Sequence, residues 1–114
     1  MTNPEVVDLH FALRGRAIPQ DYADALWGAL QAFLPWLAQD AQAGVHPLYG
    51  LSHGGDESYL SRRSRLVLRL PRQRLAAAME LVGAQLRLGG HQIEVGEASA
   101  KELAEMPVLS LIHI

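Results

Sequence analysis

Gly44-Val45-His46-Pro47-Leu48-Tyr49-Gly50 and, after a short polar link, Ser61-Arg62-Arg63-Ser64-Arg65-Leu66-Val67-Leu68-Arg69-Leu70-Pro71 decide how this chain folds. In the second run Leu66, Leu68 and Leu70 alternate with Arg65, Val67 and Arg69, which is the period of a half-buried strand. That strand is expected over Tyr59 to Leu70, with Pro71 stopping it. The first run restarts the chain at Gly44 and predicts a strand over Val45 to Leu51. Between them His53-Gly54-Gly55-Asp56 reads as a hairpin or loop. A histidine held by a proline, followed by an arginine cluster, suits proton transfer near phosphates.

Outward from this stretch the same patterning continues. Val7, Leu9, Phe11 and Leu13 alternate with Asp8, His10, Ala12 and Arg14, which predicts a first strand ended by Gly15. Pro19 and Asp21 supply a helix start. Tyr22, Leu26, Ala29, Leu30, Phe33 and Leu37 then recur at helical spacing. Pro35 should end or kink that helix, with Trp36-Leu37 forming a last turn. Arg72 to Leu86 predicts a second helix, with Leu75, Met79, Val82 and Leu86 inward. Leu86-Arg87-Leu88, Gly89-Gly90 and His91 to Val95 read as a closing hairpin.

The expected order is therefore β-α-β-β-α-β. This is the α+β, ferredoxin-like split βαβ, shared with the RNA-recognition motif, with a four-stranded antiparallel sheet carrying two helices on one face. Many unrelated functions use that plan, so fold alone assigns none.

The 114 residues suffice for one small domain. The formal charge of −2 disfavours a polyanion partner, but the charge is unevenly spread. Residues 58–87 hold seven arginines and one acid, for +6, inside an otherwise acidic chain. There is no cysteine, which excludes disulfides and thiolate metal sites. No run reaches membrane-spanning length and no signal-peptide core is present, so a cytoplasmic protein without a membrane partner is expected. No histidine or acid cluster has metal-ligand spacing, so neither a metal nor another cofactor is expected.

Among the five histidines, His46 is the sharpest candidate for chemistry. Pro47 stiffens the backbone after it, and a loop histidine bound only to the backbone is the competing reading. His10 lies on the polar side of the first strand, His53 in a loop, and His91 is expected to be solvated beside a Gly-Gly turn. Tyr22 is a candidate to donate a proton or orient a ribose, and a core role competes with that. Arg62, Arg63 and Arg65 are candidates to clamp a phosphate, with Arg69 extending the track on the same face. They would equally serve as a charged strand edge. Arg72 and Arg74 start the second helix, where cations oppose the dipole, a weak hint of an anionic partner.

Several short motifs occur here in one order: Asp8-Leu9-His10-Phe11, Ile18-Pro19-Gln20-Asp21, Ala25-Leu26, Leu34-Pro35-Trp36-Leu37, Gly44-Val45-His46-Pro47 and Arg63 to Pro71. Together they resemble the CRISPR-associated repeat-processing endoribonucleases of the Cas-six family, in particular its small myxan type. The resemblance runs from about Val6 to Val95. It implies metal-independent cutting of precursor CRISPR RNA, in which a ribose 2′-hydroxyl attacks the neighbouring phosphate. A 2′,3′-cyclic phosphate and a 5′-hydroxyl would result. It implies CRISPR repeat RNA as the partner, with other CRISPR effector subunits as further candidates. It aligns His46 with the histidine of the family's Gly-Val/Ile-His-Pro pattern. A better-known branch carries its histidine near Gln31, and glutamine is no general base, so chemistry here would rest on His46.

The family fold is two ferredoxin-like domains in tandem with a glycine-rich basic segment near the C-terminus, and this chain has room for the first domain. Residues 1–108 are expected to be that N-terminal domain of a truncated chain. Leu109 to Ile114, read back as CTG-TCT-CTT-ATA-CAC-ATC, spells a common transposon-end sequencing adaptor, so residues 109–114 are expected to be read-through. Resequencing the locus decides this, a natural stop codon after Ile114 with other codons counting against it. The alternative function is a non-catalytic ferredoxin-like module for RNA or anion binding, or for dimerisation.

Overall fold

The computed structural model describes residues 6–102. Residues 109–114 lie outside the described residues. Strand β1 (Val6–Arg14) forms where expected, and its alternation holds: Val7, Leu9, Phe11 and Leu13 are buried, while Asp8, His10 and Ala12 face the other way. It is the middle strand of an antiparallel sheet flanked by β6 (Arg65–Pro71) and β8 (His91–Glu102). β3 (Gly44–Val45) borders β6 at one edge, and β7 (Gln85–Leu88) borders β8 at the other.

The α+β class is as expected, but the sheet has five strands in the order β3-β6-β1-β8-β7, not four. Three further short strands, β2 (Ala17–Pro19), β4 (Ser52–Gly54) and β5 (Glu57–Tyr59), make a second sheet in the order β2-β5-β4. The expected hairpin at His53 to Asp56 thus exists, but it belongs to this second sheet. The strand expected over Tyr59 to Leu70 is divided. Tyr59 ends β5, a turn closed by Ser64 N–H to the Ser61 carbonyl at 3.1 Å intervenes, and only then does β6 begin.

The second-strand expectation, Val45 to Leu51, shrinks to β3. His46 N–H still bonds the Val67 carbonyl at 2.9 Å, and Tyr49 still bridges Arg65. Between them Pro47 has no N–H to give, and the Leu48 N–H is taken by the Tyr22 hydroxyl at 2.7 Å. The edge therefore frays rather than continuing as a strand.

Helix α1 (Ala23–Phe33) starts later than Pro19 suggests, because Pro19 closes β2. Tyr22 is its N-cap residue, without a side-chain cap bond. Leu26 and Leu30 point into the core, whereas Phe33 is exposed, against expectation. Pro35 begins a 3-10 turn, Pro35–Ala38, that buries Leu37. The second helix is the largest departure. Only α2 (Leu75–Ala78) is α-helical, between 3-10 turns at Arg72–Arg74 and Met79–Leu81. Val82 is extended and Gly83 takes a φ of +88°, which ends any helical path. Leu86 leaves the helix for β7, where Leu86 and Leu88 are buried and Gln85 and Arg87 exposed. Met79 and Val82, expected inward, are exposed.

Beneath the sheet, the buried face of β1, Leu66, Leu68 and Leu70 of β6, and Ile93 and Val95 of β8 join α1 and Leu81 in one apolar core. The opposite face of the sheet carries the polar partners of those residues. Among the described residues no helix is long and apolar enough to cross a membrane.

Candidate active site on the open sheet face

Register determines what this polar face contains. Asp8 stands opposite Arg69, His10 opposite Val67, and Ala12 opposite Arg65. Directly opposed residues in an antiparallel pair lie on the same side. His46, hydrogen-bonded to Val67 across the other edge of β6, adds its side chain to that side. Its Nε2 reaches Asp8 Oδ1 at 3.2 Å. Arg69 grips the same carboxylate with two nitrogens, Nε to Oδ1 at 3.0 Å and Nη2 to Oδ2 at 3.3 Å. Three sequence-distant segments thus meet at one aspartate.

Asp8 is only 14% exposed, whereas His46 is 37% exposed. Burial pushes the Asp8 carboxyl up, but hydrogen bonds from Arg69 and His46 outweigh it and hold the group below its ordinary range. The Asp8 bond raises the Arg69 guanidinium against the opposing effect of burial. A carboxyl lowered in the native state stabilises the fold above its unfolded value and loses that contribution as pH falls through the native value. Asp8→Asn should cost about 1 kcal/mol at neutral pH. The gap between parent and variant should close as pH drops below the ordinary 3.8. Urea midpoints measured against pH check this, and a gap that widens in acid would refute it.

The arginine candidates divide. Arg65 donates from Nη1 to the carbonyls of Arg62 and Ser64, both at 2.8 Å, and so braces the turn that precedes it. The fully buried Ser64 hydroxyl braces it again, accepting from Ser61 N–H at 2.9 Å and donating to the Gly50 carbonyl at 2.8 Å. Gly50, with a φ of +78°, lies so near the Arg63 carbonyl that a Cβ would sit 2.5 Å from it. Held this way, the Arg62 and Arg63 side chains are exposed and have no partner among the described residues. Arg62 and Arg65 line a cleft of about 540 Å³ on the open face with His10, Arg14, Glu97 and Ser99. Arg63 and Arg62 line a neighbouring hollow beside Tyr49 and Gly50. Arg69 is committed to Asp8 and, with His46, lines a shallow pocket of about 280 Å³.

Tyr22 is half-buried and packs on the core. Its hydroxyl is spent on Leu48 N–H, two residues after His46, so it holds the loop that carries the histidine. The other sequence readings shift as well. His91 is not simply solvated: its Nε2 lies 2.6 Å from Glu57, tying the second sheet to β8. The His91 bond draws the exposed Glu57 carboxyl below its ordinary range. His53 sits in β4 with its Nδ1 3.2 Å from the Ser58 hydroxyl. Arg74 pairs with Asp40 at 3.4 Å and stacks 4.8 Å from the Trp36 ring, so its place near a helix start needs no anionic partner. Asp8 is the residue that pattern reading passed over. It stood in a quoted motif, but only the β1–β6 register reveals its two partners.

Comparison with known proteins identifies the family. The family model described as Cas6 Crispr matches residues 7–112. The CRISPR-associated endonuclease Cas6 of Myxococcus xanthus (strain DK1622) is 35% identical over 103 residues, covering 90% of this chain and 44% of the relative. The chain thus spans less than half the length of that relative. A solved structure, a CRISPR associated protein Cas6, superposes with a TM-score of 0.64 at 13% identity over 89% of this chain and 51% of that one. At that identity the likeness concerns the fold alone. The match of the family model over most of the sequence shows that the chain belongs to the Cas6 family.

Proposed function

We propose that this chain is the N-terminal domain of an endoribonuclease that processes precursor CRISPR RNA at its repeats without a metal ion. Its partner is CRISPR repeat RNA, with other effector subunits as further candidates, and residues 1–108 form a ferredoxin-like unit. The inner strand order β3-β6-β1-β8 supports the last point, since α1 lies between β1 and β3 and α2 between β6 and β8. On this reading β7 is an added edge strand.

The observation that carries the function is that, in a Cas6 chain, the His46 ring and the arginine cleft open on one face of one sheet. His46 takes the proton of a ribose 2′-hydroxyl as its oxygen bonds to phosphorus. The bond from phosphorus to the 5′-oxygen breaks, and that oxygen leaves with the bonding pair and takes a proton from water. The products are a 2′,3′-cyclic phosphate and a 5′-hydroxyl. Arg62 and Arg63 hold flanking phosphates, Arg65 braces their turn and offers its remaining nitrogens to the cleft. Tyr22 holds the loop of His46. Arg69 contributes through Asp8.

Because the nucleophile belongs to the substrate and the proton goes to a side chain, cleavage should persist in excess chelator. The full-length protein that carries this domain, incubated with its own repeat RNA and EDTA, should release a fragment ending in cyclic phosphate. Loss of cleavage in EDTA, restored by magnesium or manganese, would reject the mechanism.

A further inference from the structure

We infer that Asp8 is a positioning residue for His46, fixing its ring through Nε2 so that Nδ1 is the atom that exchanges the proton. This rests on the reading of His46 as the proton-transfer group and deepens it.

The argument starts with the acceptor. Asp8 sits opposite Arg69 in the centre of the sheet, and Arg69 donates one bond to each of its oxygens. A carboxylate gripped at both oxygens by a guanidinium has little freedom to turn. Both the hydrogen bonds it accepts and its lowered titration keep it ionised near neutral pH. An ionised carboxylate only accepts. At 3.2 Å from Oδ1, Nε2 of His46 must therefore be the donor and must carry the hydrogen. In the neutral ring the lone pair is then on Nδ1.

Nδ1 of His46 has no hydrogen-bond partner among the described residues. The backbone under the ring is fixed at both ends, by His46 N–H on Val67 and by Tyr22 on Leu48. What remains free is rotation of the ring, and Asp8 removes it. When Nδ1 takes the 2′-hydroxyl proton, the imidazolium forms against the Asp8 carboxylate, which was ordered before the reaction began. Arg69, Asp8 and His46 thus form one chain of support, drawn from β6, β1 and the segment after β3. Only its last member touches the reacting atoms.

Two measurements test this. The first is single-turnover cleavage of the repeat by the full-length protein. Asp8→Ala should slow the saturated rate about 10- to 100-fold, less than His46→Ala does, with the half-saturating RNA concentration unchanged. The double variant should be no slower than His46→Ala alone, because Asp8 acts only through that ring. Asp8→Asn, which keeps the shape of the site, should also be slower and guards against misfolding. Additive losses, or a parallel loss of affinity, would overturn the inference, since a role in sheet stability or RNA binding gives those results.

The second measurement needs no activity. In the isotope-labelled chain, imidazole nitrogen resonances should show neutral His46 as the Nε2–H form, with a detectable Nδ1–H fraction gained in Asp8→Ala. Equal tautomer mixtures in parent and variant would overturn the assignment. The two readings fail differently. If Asp8→Ala cleaves at the parental rate while His46→Ala is inactive, the positioning role is wrong and the function stands. If His46→Ala cleaves normally, the functional reading falls, and the ring resonances still decide what Asp8 does.

Discussion

His46→Ala should slow single-turnover cleavage of repeat RNA by roughly 10²- to 10⁴-fold, the range that a well-placed general base or acid supplies. Affinity should stay nearly intact. A proton-transfer group stabilises the transition state, whereas phosphate contacts act in the ground state as well. The substitution should be mild for folding. The ring is 37% exposed, and its loss leaves Asp8 still paired to Arg69 by two bonds, so no buried charge is orphaned. Single-turnover conditions matter, because slow product release would mask the chemical step. His53→Ala is the control: His53 lies in β4 of the second sheet, bound to Ser58, away from the open face. A variant at parental rate would make His46 a loop histidine. A parallel fall in rate and affinity would favour the RNA-binding module over the nuclease.

The salt dependence of binding should separate the arginines. Arg62 and Arg63 are the cations of the cluster without a partner among the described residues, so they are the ones able to release counterions from RNA. Replacing both by alanine should make the slope of log affinity against log salt shallower by roughly 1 to 2. Stability should barely change, because both side chains are exposed. Arg65→Ala should behave in the opposite sense. It removes two bonds to the carbonyls of Arg62 and Ser64, so it should lower the melting temperature and disturb binding through a loosened turn. Filter binding over a salt series, together with thermal unfolding, checks both. An unchanged slope in the double variant would remove the phosphate role from Arg62 and Arg63.

Sequence patterning carried far where one period had no rival. The alternation at Val7 to Leu13 and at Leu66 to Leu70 is local, and both strands formed with the expected faces inward. It failed where two periods competed. Leu75, Met79, Val82 and Leu86 fit a helix, but Leu86 and Leu88 also fit a strand, and the positive φ at Gly83 resolved the conflict for the strand. The Arg62-Arg63 turn was hidden for a different reason. It depends on Ser64 and Gly50 meeting across fourteen residues, a contact that no window of local sequence contains. The same holds for the site: His46 was legible beside its proline, but Asp8 and Arg69 became its neighbours only through strand register.

The order of the strands also sets when the domain can close. β1 is made first, yet Val7 pairs with Leu70 on one side and with Glu102 on the other. At ribosomal speeds the second partner follows on the order of 5–20 s later. Until β6 emerges both edges of β1 are open to other chains, and until β8 emerges one of them stays so. Pairing across such sequence separations is slow, because loop-closure entropy precedes the gain from contacts. A synthesis pause before β8 emerges therefore leaves one edge of β1 exposed to aggregation, and β8 closes it.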